Sequence, residues 1–160
     1  MTDLTAAFAA SDQPDASFDA LARLVEETVG ARLFTLLEID HVRGVARRSY
    51  SNMPEAYPVS GEKEIEPNRW SEIVSGRHET FVANSIEEIA EVFPDHALIQ
   101  SLGCESCMNV PVVVGGRVIG TLNCLHAAGH YTPEKVAAAE TLKLPGAAAF
   151  LLAASIEKGA

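Results

Sequence analysis

Residues Ser101–Tyr131, SLGCESCMNVPVVVGGRVIGTLNCLHAAGHY, decide how this chain is read. Two β-rich runs, Ser106–Val114 and Arg117–Leu125, flank Gly115-Gly116. Paired glycines accept the positive φ angles of a tight turn between antiparallel strands, so the segment reads as a β-hairpin. Counting outward from a two-residue turn sets Val113 opposite Val118, Pro111 opposite Gly120 and Asn109 opposite Leu122. The same count sets Cys107 opposite Cys124 and Glu105 opposite His126. Alternate residues of a strand share a face, so all of these are expected on one side of the sheet. Directly opposed residues have Cα atoms about 4.5–5.5 Å apart, close enough for a disulfide or a shared soft metal ion. Two packed, reduced thiols satisfy the same spacing, and a reducing compartment favours them.

Upstream of the hairpin, Phe18, Leu21, Ala22, Val25 and Val29 recur at helical spacing and predict an amphipathic helix over Asp15–Val29, stopped by Gly30. Leu33–Ile39 is a short apolar run and Val45–Tyr50 a more polar one, which together predict a second hairpin. Asn52–Asn68 carries Pro54, Pro58, Pro67 and Gly61 and reads as a long surface loop, a length usually kept for function. Short helices follow at Trp70–Ser75, Ser85–Val92 and His96–Ser101, with a short strand at Thr80–Val82 between the first two. Ser85 and Glu88 have the spacing of a capping box. Thr132 and Pro133 open a last helix that Pro145 is expected to break or kink. Strands joined by hairpins give an antiparallel sheet, hence an α+β fold.

A length of 160 residues suits one domain, assigned to residues 15–157 after an N-terminal extension over 1–14. With 12 Lys+Arg against 22 Asp+Glu, the net charge of −10 argues against nucleic acid and against anionic membranes as partners. Met1–Ala10 has no basic n-region or sustained apolar run, so a secretory leader is not expected. The most apolar stretch, Pro145–Ile156, falls short of the roughly 20 residues of a membrane span. Three cysteines make no disulfide framework, and a cytoplasmic location is expected.

The Ser101–Tyr131 segment resembles the later half of GAF domains. Pro111 in a Val-Pro-Val strand, the Gly116 turn, Gly120 and Asn123 in an Ile-Gly-Thr-Leu-Asn strand, and the Pro133 helix carry the likeness. Asn52–Lys63 is similar to the corresponding loop of small stand-alone bacterial GAF proteins. The resemblance implies a PAS-like six-stranded antiparallel sheet. Terminal helices are expected on one face, and loops and short helices enclosing a ligand pocket on the other. It further implies a sensory or regulatory small-molecule-binding module without catalysis of its own. Markers of the family's haem, bilin, cyclic-nucleotide or iron sites are not evident, so no cofactor is named.

Residues placed in the pocket on this reading are Tyr50, Tyr57, Trp70, Glu105, Cys107, Asn109, Asn123, Cys124 and His126. The alternative is a thiol enzyme or redox sensor built on Cys107 and Cys124, resembling free methionine-(R)-sulfoxide reductase. Against it, Cys104 stands only seven residues before Pro111, and Asn123-Cys124 occupies the place of an aspartate pair. Cys104-Glu105-Ser106-Cys107 has redox spacing but runs into a strand rather than opening a helix. Finally, Gly146–Ile156 has no charged residue on any face. Its outer side is expected to pair two copies through the Asp15–Val29 and Pro133–Ile156 helices, unless Leu4–Ala10 folds back over it.

Overall fold

The computed structural model describes residues 1–159. Helices α1 (Leu4–Ala9) and α2 (Asp15–Thr28) lead into strands β1 (Leu33–Asp40) and β2 (Val45–Ser51). After the long loop, which contributes the two-residue strand β3 (Lys63–Glu64), come α3 (Arg69–Ser71) with its wide continuation Glu72–Gly76, then β4 (Phe81–Ala83). Two short helices, α4 (Ile86–Ala90) and α5 (His96–Ser101), precede the central hairpin of β5 (Ser106–Val114) and β6 (Arg117–His126). The chain closes with α6 (Pro133–Ala138), a tight turn at Ala139–Leu142, and α7 (Lys143–Gly159). The six strands form one antiparallel sheet in the order β3-β2-β1-β6-β5-β4.

Two layers cover the sheet. On one face Phe18, Leu21 and Val25 of α2 and Ala149, Phe150 and Ala153 of α7 pack on Phe34, Leu36, Met108, Val110, Val112, Leu122 and Cys124. On the other face the segments of α3–α5 pack on Leu33, Phe81, Cys107 and Leu125 through Val74, Ile89, Val92 and Ile99. Within the N-terminal fourteen residues lies α1, which Asp3 opens by accepting the Ala6 N–H at 3.0 Å. Phe8 of α1 leans on the helix-side core. Thr132 and Ser85 cap their helices as the sequence reading expects.

Pro145 does not end the helical run, but the α-helical pattern is interrupted just before it by the tight turn at Ala139–Leu142. The tight turn at Ala139–Leu142 lets α7 begin at Lys143, so Pro145 falls in the first turn, where a missing N–H costs no intrahelical bond. Pro133–Glu157 is therefore helical throughout and, by length and composition alone, long and apolar enough to cross a membrane. In this fold its inner side, Leu142, Ala149, Phe150 and Ala153, is core.

The hairpin register differs from the count out of the turn. Val114 opposes Arg117 and Val113 opposes Val118, as expected, but Val112 opposes Gly120. Ile119 is an unmatched extra residue in β6, a β-bulge, and every pair beyond it moves by one. Cys107 opposes Leu125, Cys124 opposes Met108, and Asn109 opposes Asn123. A one-residue slip exchanges faces, so Cys124 points into the helix-side core while Cys107 points to the other side. A second bulge lies in β2. Leu36 opposes Tyr50 but Leu37 opposes Arg48, leaving Ser49 unmatched.

Gly120 marks the place where α7 meets the sheet most closely. A Cβ there would stand 2.5 Å from the Phe150 ring and 2.6 Å from the Leu37 carbonyl oxygen. Because Phe150 is itself core, neither neighbour yields cheaply. Gly120→Ala is expected to destabilise the protein by about 1–3 kcal/mol, the range of core overpacking, as measured by urea denaturation.

Candidate functional site

The long loop and the α3–α5 segments do not collapse onto the sheet everywhere. They enclose a cavity of about 710 Å³ over β1, β2, β5 and β6, within the range of small-molecule sites. Its floor is a polar ladder running across three strands. The Trp70 indole N–H donates to Asn109 Oδ1 at 3.0 Å, and Asn109 Nδ2 donates to Asn123 Oδ1 at 2.8 Å. The Thr121 hydroxyl donates to the same Asn123 oxygen at 2.9 Å, and Asn123 Nδ2 donates to Thr35 Oγ1 at 3.1 Å. A buried amide costs about 1–3 kcal/mol when left unpaired, so these pairings hold the side chains in fixed orientations. Apolar walls come from Leu37, Val92, Phe93, Ile99 and Leu125.

One side of the cavity is built by the long loop. Tyr57 is buried and its hydroxyl donates to Asp95 Oδ2 at 2.6 Å. Burial and the neighbouring Asp95 both push the Tyr57 hydroxyl pKa up, so it remains a donor. The Arg48 guanidinium stacks over the Tyr57 ring at 3.9 Å and donates to the Pro58 carbonyl at 2.8 Å. Lys63, Glu64 and Glu66 stand exposed at the mouth.

Of the nine residues proposed from sequence, the cavity collects Tyr57, Trp70, Cys107, Asn109 and Asn123. The other four lie elsewhere. Tyr50 faces the helices, packed between Phe18 and Phe34, with its hydroxyl donating to Asp19 at 3.0 Å. The Ser49 bulge turned it away, while Arg48, which precedes the bulge, stays at the cavity. Cys124 lies in the opposite core because of the Ile119 bulge. Glu105 is not in the cavity lining, and its carboxylate is met by Gln100 at 3.4 Å. His126 stacks on His130 at 3.7 Å, and desolvation together with that neighbour lowers its pKa. Among residues that the sequence reading did not place here, Thr35 was signalled as the lone hydroxyl in the run LFTLLEI. Arg48 was signalled by alternation, two residues from Tyr50 in the same strand, although the sequence reading named only Tyr50.

All three cysteines are free and buried. Burial pushes the Cys107 thiol up to about 12 and raises Cys104 and Cys124 as well. With Cys107 and Cys124 on opposite faces of the sheet, the redox pair drawn from the expected register does not form. No group of three or more His, Cys, Asp or Glu side chains among the described residues is arranged to hold a metal ion.

A curled six-stranded sheet, helices on one face and a cavity under short helices on the other define a GAF/PAS-like α+β module. The chain belongs to the GAF family, whose domain model matches residues 11–149. Among solved structures it is similar to the GAF domain of an Acinetobacter phosphoenolpyruvate-protein phosphotransferase, with a TM-score of 0.70 at 15% identity, covering 97% of this chain and 90% of that one. It is also similar to a GAF domain/HD domain protein from Geobacter sulfurreducens, with a TM-score of 0.67 at 14% identity over 89% and 93% of the two chains. A third similar structure is the GAF domain of a two-component sensor histidine kinase from Bacillus halodurans, with a TM-score of 0.66 at 15% identity over 91% and 95%. At these identities the likeness is one of fold. No curated protein matches the chain.

The thiol chemistry is directly measurable. Because only the thiolate reacts, the native protein is expected to label slowly with a thiol reagent at pH 8, whereas the denatured chain releases three equivalents at once. Rapid labelling of one native cysteine would contradict the burial and raised pKa values described above.

Proposed function

We propose that this chain is a cytoplasmic small-molecule-binding regulatory module that acts through a bound ligand rather than through catalysis. The observation that carries this reading is the cavity over the asparagine ladder. It is apolar on its walls, polar on its floor, and roofed by short segments rather than by a continuous core. An apolar pocket with a few fixed polar groups is the general form of a ligand site. Three free thiols agree with a reducing compartment. GAF domains are found in sensors and regulators, and the similar Bacillus halodurans domain belongs to a two-component sensor histidine kinase.

Regulation needs an outlet, and the outer side of α7 supplies one in this proposal. Leu144, Ala148, Leu151 and Ser155 recur at helical spacing and are all exposed. Leu144 is 80% and Leu151 50% accessible, so α1 does not cover them. Two copies pairing α7 against α7 bury this stripe around a two-fold axis. Ligand binding on one face of the sheet then reaches the pairing face through β5 and β6, on which both the ladder and α7 rest.

Native mass spectrometry of the freshly purified protein tests both parts. The expected spectrum shows a dimer carrying a small-molecule adduct. Leu151→Glu is expected to give monomers that keep the adduct, and Ala46→Phe, which sets a ring into the cavity, dimers that lose it. An adduct-free spectrum, together with no rise in melting temperature on adding a metabolite extract, would overturn the ligand reading. Wild-type monomers at micromolar concentration would overturn the pairing.

A further inference from the structure

We propose that the ligand of this cavity is an aromatic monocarboxylate, held by its carboxylate on Arg48. The proposal rests on reading the cavity as a ligand site and adds the chemistry of its occupant. Arg48 stands opposite Leu37 in the regular register from the β1–β2 turn, on the face that also carries Thr35 and Ala46, and the Ser49 bulge turns Tyr50 away from that face. Unlike Arg43, Arg47, Arg69 and Arg77, it is not paired with a carboxylate among the described residues. One Nη1 bond to the Pro58 carbonyl is the only hydrogen bond of its side chain among them. A guanidinium carries five N–H donors in a planar fork, so four remain for a guest. Stacking on Tyr57 occupies one face of the plane, while the donors lie along its edge. That edge matches a planar carboxylate bidentately, as an ammonium does not.

Charge decides between one and two negative charges. Asp95, with Glu64 and Glu66 at the mouth, lines the same cavity against Arg48 and Lys63. Asp95 is half-buried and committed to Tyr57, while the mouth charges are exposed and screened. Arg48 therefore offsets a single ligand charge, and a dianion such as a phosphate monoester would bring its second charge against these carboxylates. The body of the ligand follows from the walls. Tyr57, Trp70 and Phe93 contribute three aromatic rings, and Trp70 and Phe93 already meet edge to face at 6.5 Å. A flat ring entering beside them keeps offset or edge contacts on more than one side.

Trp70 is the chain's single tryptophan and forms part of the cavity, so its emission reports occupancy without a label. Benzoate, phenylacetate and 3-phenylpropionate are titrated against their neutral amides and against phenyl phosphate. The expected result is a saturable change for at least one acid, with affinity tenfold or more above its amide and above phenyl phosphate. Arg48→Met is expected to erase the difference between acid and amide, and Arg48→Lys to restore part of it. The wild-type comparison of acid with amide stands even if these variants misfold. Equal affinity for acid and amide, or tighter binding of phenyl phosphate, would overturn the monocarboxylate while leaving the cavity a ligand site. A flat signal with every acid would overturn it as well. Only an adduct-free native spectrum together with no rise in melting temperature on adding a metabolite extract would remove the ligand site itself.

Discussion

Two single-residue bulges decide what this protein presents to its cavity. A strand assigns side chains to faces by strict alternation, so one inserted residue exchanges the faces of everything beyond it. The bulge at Ile119 sends Asn123 to the cavity and Cys124 to the helices. The bulge at Ser49 separates two residues that alternation would keep together, leaving Arg48 at the cavity and sending Tyr50 to the helices. Without them the cavity floor would hold a thiol in place of the Asn123 amide, and the Tyr50 phenol would stand on the same face as Arg48. The polar ladder from Trp70 to Thr35 exists only because the central hairpin is out of step with its own turn.

The two faces of the sheet meet different physical demands. Under α2 and α7 the packing is dense, and Gly120 and Gly146 let α7 approach closely. A Cβ on Gly146 would lie 3.2 Å from Leu122 and Val112, tighter than ordinary contact. On the other face, short segments cap the sheet at its β4 side and leave the middle open. Amides that would be costly in a dry core are tolerated there, because each is paired and the cavity admits water or a guest. Stability thus concentrates on the helix face and recognition on the cavity face, with β5 and β6 common to both.

Most of the architecture was legible in the sequence because it rests on local signals. The Gly115-Gly116 turn, the Ser85 and Thr132 caps, Gly30 after α2 and the amphipathic spacing of α2 each arise from neighbouring residues, and each appears where expected. Helix α1 and the unbroken α7 were less legible. Helix α1 carries one large side chain that packs, Phe8, and α7 depends on a tight turn that shifts Pro145 into a tolerated position. In the candidate site, Trp70, Tyr57, Asn109 and Asn123 were legible as polar or aromatic residues on a half-apolar face or a long loop. Tyr50 and Cys124 were misplaced for one physical reason. A bulge leaves no reliable mark in composition or spacing, since Ile119 and Ser49 are ordinary strand residues.

The register is the claim on which the site depends, and cross-strand nuclear Overhauser contacts measure it directly in solution. The account predicts contacts between Met108 and Cys124, Cys107 and Leu125, and Leu37 and Arg48, together with contacts between the side-chain amides of Asn109 and Asn123. Contacts joining Cys107 to Cys124 and Leu36 to Ser49 would show unbulged strands. They would return Cys124 to the cavity face and contradict the site described here.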